Sequence, residues 1–183
     1  MLSTERLTIR RFSEKDYKDL HEYLSLKEIY QFEPGKPVTL EEAKKLCMER
    51  AEGTYFWAVT LKEKGKKLIG HISLIPTEPR TFLTWEIGFI FNPAFQNKGY
   101  ASEAAQALIS YAFMQLGAHR VVGNCSPQNI PSWRVLEKCG MKREGFLRKN
   151  VFFRKDTNGK PHWLDSYEYA ILAEDFFKET KNS

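Results

Sequence analysis

The sequence contains few of the residues that hold small proteins together through covalent links or metal ions. It has three cysteines among 183 residues, an odd number that includes no Cys-x-x-Cys pair. The four histidines are dispersed and share no spacing typical of metal ligands. This pattern argues against a disulfide framework and a zinc site, so we expect no bound metal. For Cys125 and Cys139 a buried structural role is favoured over a thiol nucleophile, because neither has a histidine close by in sequence.

Long apolar runs and blocks of one charge are also missing. No segment approaches the length of a membrane span, and the first six residues lack the apolar core of a signal peptide, so we expect a cytoplasmic protein with no membrane partner. Lysine and arginine number 28 against 23 acidic residues, a formal net charge of +5. Because these charges are scattered, we expect no nucleic-acid partner. The small positive excess is compatible with a phosphate-bearing cofactor.

The residues that are present are sufficient for one ordinary core. Hydrophobic residues make up 42% of the chain and aromatic residues 14%, which is typical of a globular protein. A chain of this length buries well over half of its unfolded surface. Since there is no repeat, low-complexity tract or Gly/Ser linker, we predict a single domain over residues 1–183.

Hydrophobic periodicity predicts an α/β fold in the order β-α-α-β-β-β-α-β-α-β-β. The predicted strands are residues 7–12, 55–61, 68–75, 82–91, 120–124, 146–153 and 163–172. The predicted helices start at Ser13, Thr39, Tyr100 and Asn129 and end near residues 24, 50, 116 and 138. Short connections, one of them a turn at residues 64–66, make three of the strands an antiparallel meander. The predicted architecture is a mixed, mostly antiparallel central sheet with helices on its faces.

Capping and turn residues mark several of these boundaries. Ser13 with Asp16, and Thr39 with Glu42, have the three-residue spacing of residues that begin helices. The dipeptide Asn158-Gly159 separates the last two strands and is a strong signal for a hairpin.

The most informative segment joins the strand at residues 82–91 to the helix that starts near Tyr100. Free backbone N–H groups and the positive end of the helix then point into the loop, which favours a phosphate or pyrophosphate. Gly99 permits close approach of the backbone, and the small Ala101 keeps the first turn clear. By spacing alone Gln-x-x-Gly-x-Ala is weak, and an ordinary helix start is the alternative. The strand before it and the long amphipathic helix after it favour the phosphate site.

Residues 96–101 resemble the Gln/Arg-x-x-Gly-x-Gly/Ala coenzyme A motif of the GCN5-related N-acetyltransferases (GNAT). The resemblance extends over residues 6–172, and residues 85–88 and 129–140 are similar to the branch that acetylates ribosomal-protein N-termini. It implies a single GNAT-like domain with helices on both sheet faces. It also implies acetyl-coenzyme A as co-substrate and direct attack by an amine in a ternary complex. The cofactor contacts implied by the resemblance are Ile90, Phe91, Gln96, Asn97, Lys98, Gly99, Tyr100, Ala101 and Asn129.

Glu86 is the candidate general base, acting through a water molecule. The apolar side chains of the strand at residues 82–91 alternate, so Glu86 lies on the other face together with Gly88, where we expect open space for a water or an amine. On strand pattern alone a solvated or ion-paired glutamate would be the better interpretation. The resemblance puts the functional role ahead, because a base needs only hydrogen-bond reach of the proton, directly or through one relay.

Two further groups are implied for the transition state and the leaving group. A backbone N–H around Ile90 and Phe91 would stabilise the negative charge that develops on the thioester oxygen. Many family members place a tyrosine just before a Glu-Lys pair as the acid for the thiolate, but Leu136 stands there. In the resembled branch a serine near the start of the same helix serves instead, and Ser132 matches it. The alternative for Ser132 is a local partner in helix capping, and Asn129 is itself a plausible N-cap.

The acceptor is less well defined than the cofactor. We expect its walls to be residues 25–35 and the hairpin around residues 152–163, because both are poorly patterned. A peptide or protein α-amine is favoured over a lysine, since its pKa is lower. Amino acids, polyamines and amino sugars remain alternatives. So do a non-catalytic coenzyme A-binding module, which would not need Glu86, and a basic nucleic-acid-binding domain.

Overall fold

The computed structural model describes residues 1–63 and 66–181 of the chain. Within them it has eight strands and five α-helices. The strands are β1 (Leu2–Ser3), β2 (Leu7–Arg10), β3 (Phe56–Leu61), β4 (Leu68–Pro76), β5 (Thr84–Phe91), β6 (Arg120–Cys125), β7 (Lys142–Lys155) and β8 (Pro161–Leu172). The helices are α1 (Tyr17–Leu24), α2 (Leu40–Glu52), α3 (Tyr100–Gln115), α4 (Ile130–Lys138) and α5 (Ala173–Lys181). Short 3₁₀ turns include Glu14–Asp16, Lys27–Gln31, Arg80–Phe82 and Pro93–Phe95.

The strands form one sheet in the order β1-β2-β3-β4-β5-β6-β8-β7. Neighbouring strands are antiparallel except β5 and β6, which are parallel. The predicted mixed, mostly antiparallel sheet and the meander of β3, β4 and β5 are thus confirmed. The turn predicted at residues 64–66 falls on residues 64 and 65, which lie outside the described residues. Strand β7 forms an edge, and its many exposed charged side chains discourage pairing with another chain.

Hydrophobic side chains form a core on each face of the sheet. On one face Val59, Ile87 and Phe91 pack with residues of α3 and α4. On the other face Ala58 and Leu68 pack with residues of α1 and α2. Successive side chains of a strand point to opposite faces, so both faces are apolar and both are covered by helices, as predicted.

Both predicted capping pairs form. Ser13 and Asp16 make a reciprocal capping box, but it begins the 3₁₀ turn before α1 rather than α1 itself. Thr39 and Glu42 begin α2, with the Thr39 N–H donating to Glu42 Oε2 at 2.7 Å. Each box satisfies two backbone donors that the first turn of a helix leaves free.

The main differences from the prediction concern four elements. Strand β5 begins at Thr84, because Leu83 has a left-handed φ of 51° after the preceding 3₁₀ turn. Strand β7 begins at Lys142 instead of residue 146. The prediction missed its first residues because its mostly exposed side chains show no alternating pattern. Strand β1 and helix α5 lie outside the prediction: β1 has two residues, and α5 follows β8 without a turn that would mark its start.

Candidate functional site

The parallel strands β5 and β6 separate partway along their length. Their pairing runs from Thr84 opposite Arg120 to Glu86 opposite Val122. Strand β5 then continues to Phe91 and β6 to Cys125 without further pairing between them. Beyond Glu86, the edge of β5 that faces β6 therefore carries backbone N–H groups that pair with no strand in the described part of the chain.

A cleft of about 550 Å³ opens beside the separated part of β5. One wall comes from residues 28–33, and the other from the loop into α3 together with the start of α4. The predicted site residues that line it are Ile90, Phe91, Gln96, Asn97, Gly99, Tyr100, Ala101, Asn129 and Ser132. Lys98 and Glu86 are not among the lining residues. The structure thus brings the loop and the α4 residues together around one cavity.

The loop between β5 and α3 is held by its own side chains. Asn92 caps the turn at Pro93–Phe95, and its Oδ1 accepts from the Ala94 N–H at 3.0 Å. Gln96 Nε2 donates to the Phe91 carbonyl oxygen at 3.0 Å, so this side chain ties the loop to the end of β5. Gly99 is the N-cap of α3 with a φ of 81°, and no side chain caps the helix. The first N–H groups of α3 are therefore available to an anion in the cleft.

Lys98 does not line the cleft. Its Nζ donates to the Ala94 carbonyl oxygen at 3.0 Å and lies 5.5 Å from the centre of the Phe95 ring. The ammonium therefore contacts the loop itself, and Lys98 is not among the cleft residues with the other predicted cofactor contacts.

Arg6, which the sequence prediction missed, connects the start of β2 to this loop. Its Nε donates to Glu103 Oε2 at 2.7 Å, and its Nη1 donates to the Lys98 carbonyl oxygen at 2.9 Å. The guanidinium also lies over the Tyr100 ring, 4.6 Å from its centre. Because Arg6 and Glu103 are 97 residues apart, no local pattern in the sequence indicates this contact.

Helix α4 places Asn129 and Ser132 at the cleft and Leu136 in the core. Asn129 Oδ1 accepts from the Ser132 N–H at 3.4 Å, which is the N-cap role anticipated for Asn129. Leu136 is only 1% exposed, and a Cβ on Gly123 would come within 2.9 Å of it. The position at which many family members carry a tyrosine is therefore filled by a side chain that holds α4 against β6.

The three cysteines are buried and unpaired with one another, so the burial predicted for Cys125 and Cys139 is confirmed. Burial raises the pKa of the Cys125 thiol to about 11, although a hydrogen bond with Ser132 lowers it in part. Burial likewise raises the pKa of Cys47 to about 11 and that of Cys139 to about 12. These thiols are protonated near neutral pH, and only a thiolate is an effective nucleophile.

Glu86 lies where β5 and β6 separate, as the last residue of their pairing. It is exposed, and Asn124 Nδ2 donates to its Oε1 at 3.1 Å. Beside it, a Cβ at Gly88 would come within 3.0 Å of Ser73 Oγ, so this hydroxyl lies against Gly88. The open space expected in front of the Glu86 carboxylate stays a prediction. Asn124 is a partner that sequence reasoning missed, since it approaches Glu86 only through the parallel pairing of the two strands.

The wall of the cleft opposite the loop comes from the segment expected to contact the acceptor. Of residues 25–35, it is Glu28, Ile29, Gln31, Phe32 and Glu33 that line the cavity. The hairpin around residues 152–163 lines none of it, contrary to expectation. Its contribution is indirect: Arg154 Nη2 donates to the Tyr30 carbonyl oxygen and so supports this segment from behind. Burial raises the pKa of the Glu33 carboxyl to about 7.

Two kinds of feature are absent from the part of the chain that the structure describes. No helix there is both long and apolar enough to cross a membrane. Nor do any three histidine, cysteine, aspartate or glutamate residues of that part cluster as they would around a metal ion.

Comparison with known proteins identifies relatives along the whole length of the chain. Residues 6–142 match the family model described as an acetyltransferase (GNAT) domain. The uncharacterized N-acetyltransferase YnaD of Bacillus subtilis is 40% identical over 96% of this chain and 98% of its own length. A GNAT-family acetyltransferase structure from Bacillus anthracis is 39% identical, with a TM-score of 0.85, and the match covers 94% of this chain and 98% of that one.

More distant structures share the fold. Spermidine N-acetyltransferase of Vibrio cholerae, solved with CoA and spermine, is 22% identical with a TM-score of 0.75, covering 95% of this chain and 99% of that one. At this level of identity the likeness concerns the fold alone, so it leaves the acceptor of the present chain open.

Proposed function

Because the chain belongs to the acetyltransferase (GNAT) family, and is therefore an acetyl-coenzyme A-dependent N-acetyltransferase, we propose that its acceptor is the α-amine of a peptide or protein N-terminus. The observation that supports direct transfer between two bound substrates best is the cleft itself, which has one wall on each face of the sheet beside the separated strands. Two substrates can enter such a cleft from opposite sides and meet at the gap, as direct transfer in a ternary complex requires.

The side of the cleft at α3 and α4 is suited to acetyl-coenzyme A. The uncapped N-terminus of α3 and the left-handed Gly99 offer backbone N–H groups to a pyrophosphate. We assign the contacts along the rest of the cofactor to Ile90, Phe91, Gln96, Asn97, Tyr100, Ala101 and Asn129. Lys98 would have to leave the Ala94 carbonyl oxygen to reach a phosphate, so its predicted contact is the weakest of the set.

We assign three steps to residues around the gap. Glu86, oriented by Asn124, takes the proton of the acceptor ammonium through a water molecule, because the carboxylate does not itself line the cleft. The free edge of β5 near Ile90 supplies a backbone N–H to the thioester oxygen as the amine attacks. Ser132 donates a hydrogen bond to the departing thiolate, since it lines the cleft while Leu136 is buried.

The low basicity of α-amines supports the choice of acceptor. An α-amine has a pKa near 8 and a lysine side chain a pKa near 10.4. Deprotonation of the α-amine at neutral pH therefore costs about 3 kcal/mol less, at roughly 1.4 kcal/mol per pKa unit. The lower cost matters for a base that acts through a water molecule, because general-base catalysis lowers the activation barrier by only a few kcal/mol.

The test is a panel of amines assayed for release of coenzyme A, followed by mass spectrometry of the products. The panel contains peptides with free and with blocked N-termini, free amino acids, polyamines and amino sugars. We expect fastest turnover with peptides that have a free N-terminus, and the acetyl group on their α-amine. Acetylation confined to lysine side chains, to polyamines or to amino sugars would contradict the proposal.

A further inference from the structure

Glu33 is a carboxylate inside the cleft that the steps above leave unused. It lies on the wall opposite the cofactor loop, where Glu28 is the other acidic residue, whereas the basic residues of the lining, Arg134 and Lys138, both belong to α4. Within the described chain no residue forms an ion pair or hydrogen bond with Glu33. The wall at residues 28–33 is thus acidic and the wall at α4 is basic. The half-buried carboxylate of Glu33 has no partner among the described residues.

The backbone that carries Glu33 is firmly held. Ile29 and Tyr30 are buried in the core with α1 and α2. The Tyr30 hydroxyl donates to the Leu24 carbonyl oxygen at 2.9 Å, and Arg154 donates to the carbonyl oxygen of Tyr30 from β7. The segment that leads to Glu33 is therefore anchored at Ile29 and Tyr30, and this reduces the entropy that the segment loses when a group binds.

The burial of Glu33 is energetically unfavourable for the protein alone. A carboxylate taken out of water without a compensating partner loses hydration, and the ionised form is disfavoured. This is the direction seen here, because burial raises the pKa of Glu33 to about 7 and no cation of the cleft lowers it. An incoming cation would supply the missing charge-assisted hydrogen bond.

We propose that Glu33 binds the ammonium group of the acceptor amine and so selects which amines the enzyme accepts. The inference rests on the proposed function, because it assumes that this side of the cleft receives the acceptor. Glu33 holds the amine in its charged form as it enters, and Glu86 acts later, when the proton must leave. The two carboxylates therefore affect different kinetic constants.

The test compares Glu33→Gln with Glu41→Gln, a change to an exposed glutamate of α2 that does not line the cleft. The substrate is the amine that the wild-type enzyme acetylates fastest in the panel above. We expect Glu33→Gln to raise the KM for this amine by about 10- to 100-fold, the range for loss of a hydrogen bond to a charged group. The kcat and the KM for acetyl-coenzyme A should change less than about threefold, and Glu41→Gln should leave all of these constants within about threefold.

The outcomes distinguish this inference from the proposed function. An unchanged KM for the amine in Glu33→Gln, or a loss confined to kcat, overturns the binding role while the wild-type reaction stands. If the wild-type enzyme acetylates no amine on the panel, the proposed function fails first and the inference fails with it.

Thermal unfolding provides a second test and also shows that the variant folds. A carboxyl whose pKa is raised in the folded state is destabilising once ionised, so its cost appears as the pH rises from about 4.5 through about 7. We expect Glu33→Gln to unfold at the same temperature as the wild type near pH 4.5 and at a higher temperature at pH 8. If the unfolding temperatures of variant and wild type differed by the same amount at both pH values, Glu33 could not be an unpaired, ionised carboxylate at pH 8.

Discussion

Gly99 and Gly117 lie beyond opposite ends of α3 and share a left-handed backbone, with φ values of 81° and 64°. Their surroundings differ: a Cβ at Gly99 would come within 3.2 Å of Arg6 Nη2, whereas one at Gly117 would have no neighbour within 4 Å. A side chain at either position pays a similar conformational cost, of roughly 1 kcal/mol. Comparing substitutions at these two glycines therefore separates the effect of backbone strain from an effect on cofactor binding.

We expect Gly99→Glu to weaken acetyl-coenzyme A binding at least tenfold, because it adds bulk and negative charge where the pyrophosphate is proposed to bind. Gly117→Glu, the matched control, should lower stability similarly and leave the affinity unchanged. Isothermal titration calorimetry measures both. Equal affinities for the two variants would remove the loop from the cofactor site.

The second prediction at this scale concerns Glu86. Glu86→Gln should reduce kcat by about 100-fold while sparing cofactor affinity, the usual size of a general-base contribution. Asn124→Ala, which removes the donor to Glu86 Oε1 and keeps the carboxylate, should reduce kcat less. Steady-state kinetics over pH 6–10 is the measurement, since rising pH deprotonates the amine itself and should narrow the difference. Wild-type turnover by Glu86→Gln at neutral pH would exclude Glu86 as the base.

At the scale of elements, the start of β2 and the start of α3 are joined by charged and polar groups. Glu103 Oε1 accepts from the Thr4 hydroxyl at 2.5 Å and from the Arg6 N–H at 2.9 Å, while its Oε2 pairs with the Arg6 guanidinium. These bonds lower the pKa of Glu103 although burial opposes them. The Arg6 side chain is 42% exposed, so solvent screening limits the stability gained from the pair to about 1 kcal/mol or less.

The expected function of this connection is to hold the loop rather than to stabilise the fold. Arg6→Ala should weaken acetyl-coenzyme A binding by about 3- to 10-fold, because the Lys98 carbonyl oxygen loses its donor and the loop must be ordered on binding. Arg80→Ala, which removes an exposed pair with Glu78, is the control. Calorimetry and thermal unfolding should show lost affinity with little loss of stability; the opposite result would make Arg6 purely structural.

At the scale of the whole molecule, α4 links the main core to the cleft. Leu136 packs against Gly123 of β6, and Ser132 of the same helix lines the cleft one turn earlier. A methyl group on Gly123 would meet Leu136 Cδ2 at 2.9 Å and Ile87 Cγ2 at 3.4 Å. Helix α4 can therefore approach β6 this closely only because Gly123 has no side chain.

Gly123→Ala should cost about 1–3 kcal/mol of stability, the range for overpacking a core. Gly145→Ala on β7 is the control, because its nearest neighbour would be at 3.7 Å. Chemical denaturation gives both values. We also expect a lower kcat in Gly123→Ala, since α4 must shift and carry Ser132 with it. Full activity in a destabilised variant would argue against a role for Ser132 in the reaction.

Much of this protein was predictable from the sequence because the relevant signals are local. Alternating and helical periodicity identified the central strands and four of the helices, and capping pairs such as Thr39 with Glu42 identified their starts. The order of these elements and the residues at 96–101 pointed to an acetyltransferase of the GNAT family, which the comparisons confirm. The roles of the individual site residues stay predictions.

Only the tertiary structure decided which of these residues share the cleft. It left Lys98 outside the lining and bonded to the Ala94 carbonyl oxygen, placed Glu86 beside Asn124 and outside the lining, and set the Ser73 hydroxyl against Gly88. It also brought Glu33 to the wall opposite the cofactor loop. These positions depend on where β5 and β6 part and on contacts between residues far apart in the chain, and no local periodicity carries that information.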